Sequence, residues 1–495
     1  MRTSKDFLWG VATSAYQAEG RYNRAGEPRT NWAAAEERGD VAVLGDSADF
    51  LRHYPEDFAR CRRLGLSAFR LGIEWSRIQP KNANEFDAEA LAIYAKLIAE
   101  CQRAGLTPVV TLHHFVHPEW LGTDPWLESA IIPLFESYVS QALAFVNKHL
   151  LESGLAPIHF LITINEPNML VLNSYLGRQF PTGTSSGFSK CLRAYDSLIA
   201  AHVRAYHAIH RLYHENQWPT PAVTVNNYCS DLYWSDKFLL DLLSIRERGV
   251  PDKELASYLH RKAGEFDEAF QRANIRLERN LAWLFGTLVK KVSNVVGRAT
   301  FGKAEFPLSL QEITAGPSAR TFDYIGLDYY DPFAAHAFRF PVWWDHEFKS
   351  KSFHEWIMAS ITSKWWDWRV LASGLNFFCT YYSKDLAGRE VLIAENGMAI
   401  RRKWDNRESG RRDRITRSQF LELHVAEVRR ICEQGVPLIG YLHWSLFDNY
   451  EWGSYTPRFG LYRIDFLTGT ERQTSTPSGD NPSATYARLI AESQS

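Results

Sequence analysis

At 495 residues and 45% hydrophobic content, the chain can bury a large core, yet no apolar run is long enough to cross a membrane. A formal net charge of −1 gives no global field for nucleic acid or an anionic membrane, so neither is expected as a partner. Six cysteines with no CxxC pair exclude a disulfide scaffold and suit reduced thiols. The residues from Met1 to Asp6 lead directly into an apolar run at Phe7, so a signal peptide is not expected and the location is read as cytoplasmic.

In chain order, short apolar runs alternate with helical patterns. Strands are predicted at Phe7–Ala12, Ala68–Trp75, Thr107–His114, His159–Glu166, Ala222–Asn227, Tyr324–Tyr329, Val391–Glu395 and Leu438–Ser445. Between them, Asp87–Ala104 and Arg417–Glu433 carry apolar residues at helical spacing. Eight strands alternating with helices predict an α/β chain: one (β/α)8 barrel spanning 1–495, with long loop insertions. Ser244–Val296 reads as a helical insertion in which Trp283, Leu284 and Phe285 are expected to pack inward, the alternative being a membrane-surface role. Phe338–Trp368 is rich in tryptophan and reads as a long packed loop or as an apolar funnel for an aglycone.

Polar residues gather at the strand ends: Arg70 and Glu74, His113 and His114, Asn165 and Glu166, Asn226 and Asn227, Asp328 and Tyr330, Glu395 and Asn396, His443 and Trp444. A barrel brings its strand C-termini to one face, so these distant positions would converge. Two of them, Glu166 and Glu395, each follow an apolar strand and precede a turn. Two carboxyls across a pocket are what glycosidic cleavage requires, one protonating the departing oxygen and one attacking or activating water. Ion-paired structural carboxyls would give the same local pattern. His113, His114 and His117 lack a carboxylate at ligand spacing, so no metal is expected.

Five ordered motifs carry a resemblance. They are Phe7-Leu8-Trp9-Gly10 through Gly20, Phe69-Arg70-Leu71-Gly72 through Ile78, Asn165-Glu166-Pro167, Glu395-Asn396-Gly397, and Trp444 through Trp452 followed by Arg458-Phe459-Gly460-Leu461. Over nearly its whole length the chain resembles glycoside hydrolase family 1, the β-glucosidase and β-galactosidase family. The resemblance implies a retaining β-glycosidase without cofactor, Glu166 as acid/base and Glu395 as nucleophile, with carboxyls about 5 Å apart. It implies that Arg70 and Tyr330 bond Glu395. Gln17, His114, Asn165, Glu451 and Trp452 would bond sugar hydroxyls, and Trp444 would stack beneath the ring.

The family's phospho-sugar branch has a small residue, usually serine, where this chain has Glu451, so terminal unphosphorylated β-D-glycosides are expected, β-glucosides foremost and β-galactosides or β-fucosides also open. Asp328 stands where the family has Asn and is a candidate to modulate the pKa of a catalytic carboxyl. Phe115 likewise replaces a tryptophan. The expected partner is a small glycoside, with an apolar aglycone or a homo-oligomer also open. The alternatives are a transglycosidase using the same intermediate and a catalytically silent sugar-binding protein.

Overall fold

The computed structural model describes residues 7–273, 275, 281–330, 369–402, 408, 411, 413–476 and 478–494. Eight parallel strands close a barrel in chain order: β1 (Leu8–Ala12), β2 (Ala68–Gly72), β3 (Thr107–Thr111), β4 (Phe160–Asn165), β5 (Ala222–Tyr228), β6 (Ile325–Tyr329), β7 (Val391–Asn396) and β8 (Leu438–Trp444). The ring shuts where β1 pairs with β8, Leu8 opposite Gly440 and Ala12 opposite Trp444.

Side-chain alternation divides the interior into two cores. Ala68, Val109, Phe160, Ile162, Leu392, Ala394 and Leu442 fill the barrel itself. Phe69 and Leu71, one residue out of phase with Ala68, belong instead to the core between barrel and helices. There Phe69 stacks on Phe50 with ring centroids 5.6 Å apart. Arg70 shares the inward phase of Ala68, which is how a fully buried guanidinium comes to stand inside the barrel.

The helical predictions hold closely. Helix α1 (Ala88–Arg103) is capped by Asp87, whose side chain accepts from the Glu89 and Ala90 amides. Helix α2 (Pro167–Tyr175) starts directly after Glu166. The insertion contains α3 (Leu255–Arg272) and α4 (Leu281–Thr300). Helix α5 (Arg417–Glu433) opens with a capping box between Thr416 and Gln419.

Two expectations are corrected. Strand β2 stops at Gly72, because Glu74 turns the chain by capping the short helix Trp75–Ile78, and β3 stops at Thr111, short of the predicted His114. Inward packing fails for Leu284, which is 60% exposed, as are its helical neighbours Leu288, Val292 and Val295 to similar degrees. Helix α4 packs through small residues instead: a Cβ on Gly297 would stand 2.6 Å from the Trp234 ring, so that face takes the indole and the aliphatic stripe is left outside. The Phe285 side chain and the tryptophans of Phe338–Trp368 lie outside the described residues. All six cysteines are free, and only Cys432 is not fully buried. No described helix is long and apolar enough to cross a membrane.

Candidate active site

The strand ends converge as expected, and local irregularities aim them. Register shifts interrupt the ladders near the C-terminal ends of β4/β5, β6/β7 and β7/β8. Such bulges rotate the following side chains, here Asn165, Asp328 and Glu395. Asn165 lies opposite Asn226, and Asp328 opposite Glu395.

At the floor, Arg70 donates through Nη1 to Glu395 Oε1 at 2.7 Å and through Nη2 to Asn165 Oδ1 at 2.6 Å. Its Nε donates to Thr111 Oγ1 at 2.9 Å, which fixes the plane of the guanidinium. Tyr330 donates its hydroxyl to Glu395 Oε2 at 2.7 Å. Both oxygens of Glu395 are therefore held. Asn165 Oδ1 also accepts from Asn226 at 2.8 Å, and its amide nitrogen meets His114 Nε2 at 3.0 Å. Burial, with the Arg70 charge nearby, keeps His114 well below its ordinary range and hence neutral, so Nε2 can accept.

On the opposite wall, Glu451 accepts from Gln17 Nε2 at 3.1 Å and from Trp444 Nε1 at 3.0 Å. His114 stacks between Trp452, at 5.5 Å, and Trp444, at 5.9 Å. A cleft of about 540 Å³ is lined by His114, Glu166, Tyr330, Glu395, Trp444, Glu451 and Trp452, with Phe115, Met169, Phe180 and Phe459 adding apolar surface. Phe115, Glu166 and Trp452 all have positive φ, with Glu166 at 38°. A non-glycine residue in that region costs about 1–3 kcal/mol, a strain that clusters at functional sites.

Three carboxyls meet here. One oxygen each from Glu166, Asp328 and Glu395 lies within 4.8 Å of the others. Burial pushes Glu166 well above the usual carboxylate range, the Glu395 charge adds to this, and the Asp328 hydrogen bond and Arg70 oppose it. Burial also raises Glu395, but Arg70 and Tyr330 pull it back. Both carboxyls are thus raised, but Glu166 is pushed well above its ordinary value while the Arg70 and Tyr330 bonds favour the anion of Glu395. Burial lifts Glu451 to about 8 against the bonds from Trp444 and Gln17.

The sequence profile described as glycosyl hydrolase family 1 matches residues 2–229 and 268–493. The chain belongs to that family. As a family 1 member it is an O-glycoside hydrolase of the retaining β-glycosidase type. Among its relatives, a 6-phospho-beta-galactosidase of Streptococcus equi subsp. zooepidemicus is 27% identical over 484 residues, 94% of each chain. One of Lacticaseibacillus casei is 26% identical over 494 residues, again 94% of each. The fold matches a β-glucosidase from Thermotoga maritima in complex with methoxycarbonyl-substituted glucoimidazole, at 22% identity and TM-score 0.67, covering 99% of this chain and 98% of that one. A β-glycosidase from Pyrococcus horikoshii gives 23% identity and TM-score 0.62, covering 99% and 95%.

Every family 1 residue anticipated from the motifs reaches this site: Gln17, Arg70, His114, Asn165, Glu166, Tyr330, Glu395, Trp444, Glu451 and Trp452 either line the cleft or hold a residue that does. Other strand-end residues do not. Glu74 is an N-cap, His113 packs edge-on against Trp126 at 5.1 Å, and Asn396 bonds the Tyr329 carbonyl. His443 lies behind the wall among Phe420 and Tyr486. Asn226, unassigned from sequence, bridges Asn165 and Asp328. No sequence signal marks that role beyond its place at a strand end. Among the described residues, the gathered group of possible metal ligands is the carboxyl trio, not the histidines.

Proposed function

We propose that this family 1 enzyme hydrolyses terminal, unphosphorylated β-D-glycosides, β-glucosides foremost, by double displacement, with Glu395 as nucleophile and Glu166 as acid/base. The observation that carries the roles is the approach of Glu166 to Glu395 within 4.8 Å, with both Glu395 oxygens held by Arg70 and Tyr330. Retaining glycosidases keep their carboxyls about 5 Å apart, whereas inverting ones leave roughly 6.5–9.5 Å for a water. Glu395 attacks the anomeric carbon while Glu166 protonates the departing oxygen. Glu166 then deprotonates the water that releases the sugar.

In this reading Gln17, His114, Asn165, Glu451 and Trp452 bond the sugar hydroxyls, and Trp444 offers its indole to the C–H face of the ring. Selection against a phosphorylated sugar rests on the wall at Glu451. Among the described lining residues there is no lysine or arginine, and His114 is neutral. Glu451 supplies no positive charge whether protonated or ionised, so a dianionic phosphate would be desolvated there without a counter-charge. The apolar lining at Phe115, Met169, Phe180 and Phe459 suits an apolar aglycone. Buried free thiols fit a reducing compartment such as the cytoplasm.

A 2-deoxy-2-fluoro-β-glucoside should inactivate the enzyme, and peptide mass spectrometry should find the sugar on Glu395. Labelling of another residue would overturn the nucleophile assignment. A panel of nitrophenyl glycosides with and without a 6-phosphate tests the sugar, and preference for the phosphorylated members would overturn that part.

A further inference from the structure

Asp328 is fully buried at the end of β6, opposite Glu395 in the ladder. Its Oδ2 accepts from Asn226 Nδ2. Its Oδ1 is equally buried and has no donor: Arg70 Nη1 stands 3.8 Å away, beyond hydrogen-bond reach, and is already committed to Glu395. A buried carboxylate oxygen without a donor is costly, whereas a protonated one is not. The neighbour with a proton to share is Glu166, one carboxyl oxygen of which lies within 4.8 Å of an Asp328 oxygen in the same buried trio.

We propose that Asp328 and Glu166 hold a single proton between their carboxyls, and that Asp328 is a positioning residue that keeps Glu166 competent as the acid. This deepens the assignment of Glu166 above and rests on it. The charge inventory supports it. Glu166, Asp328 and Glu395 face one another within 4.8 Å, with Arg70 as the one guanidinium among the described residues that reaches them. Among the described residues Tyr330 and Cys229 are other titratable groups near Asp328, and both are raised by burial, so neither contributes charge at neutral pH. Glu451 faces Glu166 and is itself raised. Arg70 offsets Glu395, and ionising both remaining carboxyls would leave two adjacent buried anions uncompensated.

The catalytic cycle balances around the shared proton. In the first step the Glu166 O–H bond breaks, an O–H bond forms on the leaving oxygen, the glycosidic bond breaks and the Glu395–C1 bond forms. The pair gains one negative charge as Glu395 loses its own by becoming an ester, so the carboxyl charge of the site does not change. In the second step Glu166 takes a proton from water, the water oxygen bonds C1 and Glu395 is released as carboxylate. The pair's proton and the Glu395 charge return together.

The test is Asp328→Asn, which keeps the size of the side chain and a donor toward Glu166 but removes one ionisable carboxyl. The alkaline limb of kcat/KM should move to lower pH by on the order of one unit or more, because Glu166 no longer has a carboxylate partner holding its last proton. A second readout is independent of activity: carbon-13 NMR of labelled Glu carboxyls, with the Glu166 signal assigned by its loss in Glu166→Gln. Glu166 should show one more titration step in the parent than in Asp328→Asn, where only Glu395 remains coupled to it. Superimposable alkaline limbs, an upward shift, or the same number of steps in both proteins would each overturn the proposal. Should Glu166 prove not to be the acid, leaving-group kinetics would reveal that while the extra titration step persisted, so the two failures are separable.

Discussion

Arg70 Nη1 lies 2.7 Å from Glu395 Oε1, and both side chains are almost completely withdrawn from water. In that setting an anion persists only where fixed donors replace its hydration. Arg70 and Tyr330 are those donors. Losing either should raise the pKa of Glu395 further above its already elevated position.

Tyr330→Phe removes one bond to a charged acceptor, about 1.5–3 kcal/mol, so kcat/KM should fall roughly ten- to a hundredfold. The acidic limb of the profile should move to higher pH, because the nucleophile must ionise to act. Arg70→Met should do the same more severely and destabilise the fold by about 3–5 kcal/mol in urea titrations, since it strands a buried anion. An unmoved acidic limb in Tyr330→Phe would show that the hydroxyl does not tune Glu395.

On the proposed assignment, Glu166→Gln removes the proton donor and leaves the nucleophile. Alkyl glycosides, which need protonation of a poor leaving group, should react about 10²–10⁴-fold more slowly. Dinitrophenyl glycosides should still form the intermediate, seen as a burst of nitrophenolate followed by slow turnover. Equal losses on both substrates would remove Glu166 from the acid role.

Glu451→Ser deletes the acceptor held by Gln17 and Trp444. Activity on an unphosphorylated nitrophenyl glucoside should drop by the worth of at least one hydrogen bond, about 1–3 kcal/mol in kcat/KM. Activity on the 6-phospho counterpart should not rise to replace it, because the described lining still offers no lysine or arginine. A variant that becomes a good phospho-glycosidase would show that Glu451 alone sets the preference.

Glu74 gives a stability prediction away from the chemistry. Burial raises it to about 8 against the bonds from Ser76. The folded state therefore binds a proton that the unfolded chain, titrating near 4.5, has released. Its contribution is intact at low pH and is lost as pH rises from about 4.5 to about 8. Glu74→Gln keeps the acceptor for the Ser76 amide and has no proton to lose. Its melting temperature relative to the parent should be higher at pH 8 than at pH 5 (values chosen to bracket that window, roughly). A constant difference across the range would place Glu74 in water.

Asp57 and Arg472 form a two-pronged pair, Nε to Oδ1 at 3.0 Å and Nη2 to Oδ2 at 2.7 Å, with both side chains wholly buried. Asp57→Ala leaves the guanidinium unpaired and should cost about 3–5 kcal/mol in unfolding free energy. The catalytic constants of the remaining folded fraction should match the parent, since neither residue lines the cleft.

The sequence was most legible where one physical demand dominated. Apolar runs at strand spacing located all eight barrel strands, and the helical period located Arg417–Glu433 to its ends. The end of β2 was less visible, because the turn depends on a cap that Glu74 supplies after the strand. Leu284 was misread because apolar spacing marks a stripe but not which side packs, and in α4 glycine took the contact with Trp234. Glu166 and Glu395 stood out through their motifs. The bridge from Asn226 to Asp328 did not, because it arises from register shifts that no residue pattern announces.

The hydrogen bond from Gln17 to Glu451 spans 434 residues of sequence, and it lies just beyond the β1–β8 seam that closes the barrel. Closing so long a loop is entropically demanding and comes only when both edges of the sheet exist. During synthesis, then, Glu166 and Glu395 both precede Trp444 and Glu451, which complete the opposite wall. A nascent chain carrying both acids still has an open seam and no complete cradle for a sugar. The cleft is thus complete only when the first and last strands of the barrel meet.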